Sequence, residues 1–489
     1  MHCEKVYLVI NPRAGQDMTK MTDVFTLFAA AGWDVDNALV EYGGHAGELA
    51  TKAAKRDYDL IIGHGGDGTT NELVNAVMQS KKQTSVVGVL AGGTANQWPH
   101  EISMPLDPIK AALALINSDV RKVDVGRITV QSIVFPGASQ EQQVAQEEEE
   151  EKAKKAKKKD KLEYYFLLTA GLGIDASVIS HTSKSLKERI GSLAFDVAAA
   201  KELPAQHPFH VEICEVDAEH EEVQAKTLWT GEALQIVLGN TRLYGDAIDL
   251  TPNAYIDDGL LDICIITANS PFTKLQQMAS LVLRHKPDSD TTTYVQGSHF
   301  TLTLPATIGL QLDGSAMELE DCLTDEESAA LKQAKDAASV MVTYRFDVFK
   351  QALPVAIPRT YDNTLFAATH DTDNEQPSIV SSLHDGAGQA ATQEQIDALL
   401  KGGKQVTVSG VAPHPEKNST YILAGTTRKE STGDIKPVAV RITADTQLYT
   451  RKGERVALGT VAALQDGALI LVEGKTSKRG VMQASSIIV

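Results

Sequence analysis

Apolar positions in the first hundred residues fall into short continuous runs separated by helical spacings. Val6–Ile10, Asp59–Ile62 and Val86–Leu90 are apolar runs of strand length, as expected of strands buried on both faces. Between them, Met21–Ala31 has helical periodicity and is closed by Gly32, and Trp33–Val35 starts a further strand. A second helix runs from Gly43-Gly44-His45 to Lys55, and Leu73, Val74, Val77 and Met78 mark a third. Four strands alternating with helices predict a parallel, doubly wound α/β domain. Asp107-Pro108 then caps a helix reaching Asn117.

From Val123 the texture changes to β-like runs: Arg127–Phe135, Tyr164–Thr169, Phe209–Cys214, Ala233–Leu238, Leu261–Ile266 and Phe300–Leu304. They predict an antiparallel β domain, interrupted by a helical interval over Ser185–Lys201. Residues 138–161 form a charged insertion in which Glu precedes Lys by four residues, the mark of a solvated helix. Thr324 with Glu327 has capping-box spacing ahead of a helix, and Met341–Phe349 reads as a strand. Pro354–Gly388 reads as a linker, Thr392 to Gly402 as a short capped helix, and Gln405–Val489 as a small β-barrel. The expected domains are 1–122, α/β; 123–305, β-rich; 306–350, a return segment; 351–403, a linker with a helix; and 404–489, the barrel.

Composition narrows the function. A chain of 489 residues with 43% hydrophobic and 22% charged residues has ample material for several globular cores. A formal charge of −18 argues against nucleic acid as partner. The four cysteines, Cys3, Cys214, Cys264 and Cys322, are scattered without metal-binding or disulfide spacing. No apolar run reaches the length of a membrane-spanning helix, so a cytoplasmic location is expected.

The densest chemistry is Gly63-His64-Gly65-Gly66-Asp67-Gly68-Thr69-Thr70-Asn71-Glu72, between a buried strand and a helix. Strand, glycine turn and helix aim free backbone N–H groups at an anion. Gly65, Gly66 and Gly68 are expected to take positive φ and to let a phosphate approach. A carboxylate there, Asp67, suits Mg²⁺ held between it and the phosphates. Thr69 and Asn71 offer uncharged hydrogen bonds to the same ligand. Asn11-Pro12-Arg13-Ala14-Gly15 and Gly92-Gly93-Thr94-Ala95-Asn96 end two other strands at the same side of the sheet.

These turns resemble the diacylglycerol kinase catalytic family, which includes bacterial lipid kinases and sphingosine and ceramide kinases. Gly-Gly-Asp-Gly-Thr alone is shared with NAD kinases; the extension through Asn71 and Glu72 favours the lipid-kinase branch. The Pro252–Asp262 stretch, with Asp258-Gly259-Leu260-Leu261-Asp262, and Gln311-Leu312-Asp313-Gly314 also resemble family hallmarks. The resemblance covers roughly residues 4–350. It implies a nucleotide site built from Asn11, Pro12, Arg13, Ala14, Gly15, Gly65, Gly66, Asp67, Gly68, Thr69, Thr70, Asn71 and Thr94, with ATP and Mg²⁺ as cofactors. It implies a second Mg²⁺ on Asp258 and the carbonyls of Tyr255 and Leu260. Catalysis would fall to Asp67, through its metal, and Asp313, as base for a lipid hydroxyl, unless Glu318 reaches in from the strand.

Three positions depart from the family pattern. Gln16 stands where Lys is frequent, Gln97 where an acid belongs to the metal network, and Ser315 where Asp-Gly is followed by Glu. The expected activity is an ATP-dependent lipid kinase acting on diacylglycerol or a sphingoid-like base. The expected partners are ATP, the lipid, a transient membrane surface and a second copy of the chain. An NAD kinase-like enzyme and a non-catalytic nucleotide- or lipid-binding protein are the alternatives.

Overall fold

The structure, a computed structural model, describes residues 1–489 except 2, 15–17, 137–162, 174–206, 218–224, 245–247, 268–269, 271–272, 274–276, 278–279, 281–285, 335–336, 368–389 and 429–434. The charged insertion and the helical interval at Ser185–Lys201 therefore lie outside the described residues, as do Gly15 and Gln16.

Strands β1 (Lys5–Ile10), β2 (Asp34–Leu39), β3 (Leu60–Gly65) and β4 (Val86–Ala91) form the expected parallel array in the order β2-β1-β3-β4. Helices α1 (Met21–Ala31), α2 (His45–Lys55), α3 (Asp67–Met78), α4 (Gln97–Glu101) and α5 (Pro108–Ile116) connect and cover them. Local signals set the helix ends as anticipated. Gly32 closes α1 at φ 88°, and the Asp107 carboxylate accepts the N–H groups of Ile109 and Lys110 at 3.0 and 3.1 Å. Because β1 lies between β2 and β3, connections leave β1 and β3 in opposite directions. That switch point opens a crevice at the carboxyl ends of the strands.

The sheet does not stop at β4. Strand β5 (Ser118–Val134) is 17 residues long, and the later strand through Met341 runs to Pro358 rather than to Phe349. With Leu353, Val355, Ala356 and Ile357 buried, the first part of the expected linker is sheet. In chain order the second body adds β6 (Tyr164–Phe166), β7 (Thr169–Gly173), β8 (Phe209–Glu215), β9 (Lys226–Ala233) and β10 (Gln235–Gly239). It continues with β11 (Leu243–Tyr244), β12 (Ile248–Asp249), β13 (Leu261–Ile266), β14 (Thr292–Gly297), β15 (His299–Pro305), β16 (Leu310–Leu312), β17 (Ser315–Met317) and β18 (Met341–Pro358). β18 pairs with β4, β5 and β15, joining the parallel array to β15, β8 and β9 in one ten-stranded sheet. A separate antiparallel sheet, β14-β13-β10-β7-β16-β17, faces it across a core that includes Phe166, Leu172, Ile236, Ile263, Phe300 and Tyr344.

Helix α6 (Asp325–Gln333) has the expected Thr324–Glu327 capping box, and α7 (Gln393–Gly402) the Thr392–Gln395 one. Strands β19 (Lys404–Pro413), β20 (Tyr421–Arg428), β21 (Ile435–Ile442), β22 (Gln447–Tyr449), β23 (Leu469–Thr476) and β24 (Val481–Ile488) make the C-terminal sheet, closed by β21–β24 pairing. Closure removes most of its edges. This barrel is seated on α1 and α5: Ala412, Ile422, Ala424, Ala439 and Val481 join the core of the α/β body. The Arg441 guanidinium donates to the Ala30 carbonyl at 3.0 Å, at the C-terminus of α1 where a cation is favoured.

Candidate active site

Three turns meet at the carboxyl ends of β1, β3 and β4. The Asn11 N–H donates to the His64 carbonyl at 2.9 Å, and the Gly92 N–H to the Gly65 carbonyl at 2.8 Å. The expectation that Gly65, Gly66 and Gly68 adopt positive φ is corrected: none does, and Gly66 sits at φ −92°, ψ −171°. At Gly65 and Gly66 the lack of a side chain serves packing instead. A Cβ on Gly66 would meet the Gly93 Cα at 3.2 Å, one on Gly92 the Gly65 Cα at 3.2 Å, and one on Gly93 would overlap the Gly66 Cα. A Cβ on Gly65 would overlap the Thr69 side chain. The two glycine turns touch backbone to backbone, which no other residue type permits.

Asn96, at φ 50°, shapes the second turn: its amide oxygen accepts the Gly93 N–H and its amide nitrogen donates to the Gly93 carbonyl, both at 2.8 Å. Thr94 is exposed on the turn. Pro12 and Arg13 are exposed too, and the Arg13 guanidinium donates to the Glu41 carbonyl at 2.7 Å. The hydroxyls of Thr69 and Thr70 point inward. Asn11 donates to Thr69 Oγ1 at 3.3 Å, and Thr70 Oγ1 lies 3.5 Å from the Gly66 carbonyl.

Asp67 opens α3 and is half-buried, accepting the Trp98 N–H at 3.3 Å. Across the cleft the 313–315 turn approaches this helix end, and Ser315 Oγ lies 3.4 Å from where a Cβ on Gly68 would sit. Asn71, expected to serve the ligand, is committed elsewhere. Its amide donates to Asp313 Oδ2 at 2.7 Å and to the Tyr165 carbonyl at 3.0 Å.

Asp313, expected as the base, lies at φ 48° and is only 3% exposed. Oδ1 accepts the N–H groups of Leu168 (2.8 Å) and Thr169 (3.1 Å), and Oδ2 accepts that of Leu167 (2.9 Å) beside Asn71. Burial raises its pKa, and these four donors oppose the rise. All four lone-pair positions of the carboxylate are taken. In this geometry Asp313 holds the start of β7 and α3 together, and a substrate proton would have to displace one of its donors.

At the second candidate metal site, Asp258 Oδ1 accepts the Leu260 N–H at 2.9 Å, and Lys350 donates to the Asp258 carbonyl at 3.0 Å. Arg242 lies over the Tyr255 ring, 4.8 Å from its centroid. Two carboxylates crowd this turn that the sequence reading left without a role. Asp124, fully buried, accepts the Gly259 and Gln351 N–H groups. Burial, with the charges of Asp258 and Asp257 added, pushes its pKa up to about 6. Burial and Asp258 do the same to Asp262, also to about 6. Among the described residues no group of three or more His, Cys, Asp or Glu is arranged as a metal cage. The Asp258 carboxylate with backbone carbonyls, near Asp124 and Asp262, nevertheless offers the hard oxygen ligands that suit a divalent cation, with Lys350 at the Asp258 carbonyl as a competing charge. His64, in β3 just before the first glycine turn, is 1% exposed, and neither ring nitrogen has a hydrogen-bond partner among the described residues; burial lowers its pKa.

The diacylglycerol kinase catalytic domain family matches residues 5–128, and the YegS C-terminal NAD kinase beta sandwich-like domain matches residues 169–320. "Diacylglycerol kinase" of Bacillus subtilis (strain 168) is 26% identical over 315 residues, covering 64% of this chain and 89% of that protein. "Probable lipid kinase YegS" of Escherichia coli O9:H4 (strain HS) is 24% identical over 328 residues, 66% of this chain and 94% of that one. A solved Bacillus anthracis str. Sterne chain, itself proposed to be a diacylglycerol kinase, shares the fold with TM-score 0.52 and 19% identity. It covers 73% of this chain and 96% of its own. No helix among the described residues is long and apolar enough to cross a membrane. Residues 5–128 thus match a diacylglycerol kinase catalytic domain and residues 169–320 a YegS C-terminal NAD kinase beta sandwich-like domain, and the chain carries an additional C-terminal barrel.

Proposed function

We propose that the protein is a Mg²⁺-dependent lipid kinase that transfers the γ-phosphate of ATP to a hydroxyl of diacylglycerol or a sphingoid-like base. The observation that carries this reading is the approach of the two bodies at the start of α3. The first turn of α3, with Asp67, faces the 313–315 turn of the second body, with Ser315 Oγ against Gly68. A nucleotide on the glycine turns and an acceptor held by the second body would meet there. Phosphoryl transfer needs mainly positioning and charge neutralisation. The N–H groups at the start of α3 and the turns at Asn11–Ala14 and Thr94 would cradle the phosphates. Mg²⁺ bound at Asp67 would supply the neutralising charge, and a structural Mg²⁺ would fit Asp258 with the Tyr255 and Leu260 carbonyls. Asp313 fixes the cleft wall; to take the acceptor proton it must first release one of its four donors.

A second reading, a non-catalytic nucleotide or lipid binder, is favoured by the saturation of Asp313 together with Gln97 and Ser315 in place of acids. The deciding experiment incubates the full chain with labelled ATP and Mg²⁺ against diacylglycerol, sphingosine, ceramide and NAD. Labelled lipid, abolished by Asp67→Asn at unchanged melting temperature, is expected. Labelled NAD, or Asp67→Asn turnover within threefold of wild type, refutes the reading. ATP binding without any transfer establishes the second one.

A further inference from the structure

Helix α4 begins directly after the second glycine turn and is five residues long. Its first and last residues, four apart, share a face. Both side chains reach one residue of the second body. The Gln97 amide donates to the Leu243 carbonyl, and the Leu243 N–H donates to Glu101 Oε1 at 2.8 Å. Gln97 is 7% and Glu101 9% exposed, so water does not compete for these bonds. On the nucleotide side, α4 is fixed by the Asn96–Gly93 pair and by Asp67, which accepts the Trp98 N–H. On the other side, Arg242 donates to the Ala254 carbonyl at 2.9 Å, next to the Tyr255–Asp258 turn.

We propose that Gln97 and Glu101 are positioning residues, a two-point clamp that sets the acceptor-side body in register on the nucleotide turns, and that glutamine at 97 is required for it. A carboxylate at 97 would set an acceptor against the Leu243 carbonyl, and an aspartate would also fall one methylene short. The departure from an acid at this position is thereby explained: the amide serves the junction between the two bodies. Removing the donor leaves a buried carbonyl unsatisfied, at about 1–3 kcal/mol, or a factor of roughly 5 to 150 in local opening.

The test compares Gln97→Glu, Gln97→Met and Glu101→Gln in the full chain by hydrogen exchange over 239–244, with KM for ATP and for diacylglycerol in mixed micelles. Gln97→Glu is expected to speed exchange in this segment about tenfold or more, with a smaller rise for Gln97→Met. Glu101→Gln turns an amide N–H₂ towards the backbone N–H of Leu243 or Arg242 and is expected to speed exchange as well. The lipid KM should rise while the ATP KM stays within about twofold. Wild-type exchange in Gln97→Glu or in Glu101→Gln, or uniform loosening of the whole chain, overturns the clamp. The kinetic arm rests on the lipid-kinase reading, and the exchange arm does not. Loosening at 239–244 in a chain inert towards every lipid leaves the clamp standing and removes the kinase.

Discussion

Glycines 68 and 93 look alike in a motif and differ in space, so an added methyl group separates their roles. In Gly93→Ala the new carbon meets backbone, the Gly66 Cα, and no side-chain rotation relieves it. Gly93 does not have positive φ, so the effect is purely steric. Forcing the two turns apart should cost about 1–3 kcal/mol, as overpacking does. At roughly 2–4 °C per kcal/mol for a body of this size, the melting temperature should fall by about 2–12 °C. In Gly68→Ala the nearest atom is Ser315 Oγ at 3.4 Å, on a side chain that can turn aside. Gly68 lies in the first turn of α3, where alanine is intrinsically favoured over glycine by up to about 1 kcal/mol. Gly68→Ala should therefore melt at or slightly above wild type. Differential scanning fluorimetry, with ATP titrated by calorimetry, reads both. Nucleotide affinity should drop at least about tenfold in Gly93→Ala, because the two turns are held in register by this contact. Equal destabilisation by the two substitutions, or a harmless Gly93→Ala, would refute the backbone-contact account.

Asp313→Asn places an amide N–H₂ among four N–H donors and should cost about 2 kcal/mol or more of stability along with activity; dead enzyme at unchanged melting temperature would restore Asp313 as the base. Asp258→Ala, or EDTA added to nucleotide-free protein, should lower the melting temperature, since a cation bound only to the folded chain stabilises it; no shift in either would mean a metal-free turn. Asp124 and Asp262 have folded pKa values raised to about 6, so their stabilising contribution is fully present below about pH 4 and lost as pH rises through 6. Metal-free protein should accordingly lose stability between about pH 4 and 7, less steeply in Asp124→Asn; an unchanged slope by urea titration would exclude Asp124 as a source. Arg441→Ala removes the donor to the Ala30 carbonyl and should raise hydrogen exchange at the C-terminal turn of α1; full protection would show that the barrel docks by apolar contact alone.

The sequence carried the local rules and lost the long-range ones. Helix ends at Gly32, Asp107, Thr324 and Thr392 were readable because each cap is decided within four residues. The parallel order followed from buried apolar runs alternating with amphipathic helices. What was not legible depends on distant partners. Pro354 and Pro358 look like linker residues, yet their segment lies beside Lys122 to Ser118 in the sheet. Gly66 and Gly93 look like phosphate-binding glycines, and their contact with each other joins turns 27 residues apart. Asp313 looked like a base from its motif. Its saturation comes from residues 167–169 and from Asn71, 242 positions away. Gln97 looked like a loss of charge until Leu243 supplied its partner.

The pairing of Ser118 with Pro358 has a consequence for how the chain is made. At the ribosome, β1 to β4 emerge early, but β18, which flanks β4, arrives more than 250 residues later. At about 5–20 residues per second that interval is on the order of tens of seconds. Throughout it the run Val86-Val87-Gly88-Val89-Leu90-Ala91 presents an unpaired apolar edge, the kind of surface that recruits other chains. Truncated products ending before residue 341 should share this defect permanently and collect in the insoluble fraction. Chaperone cover until β18 is complete is the expected safeguard for such an edge.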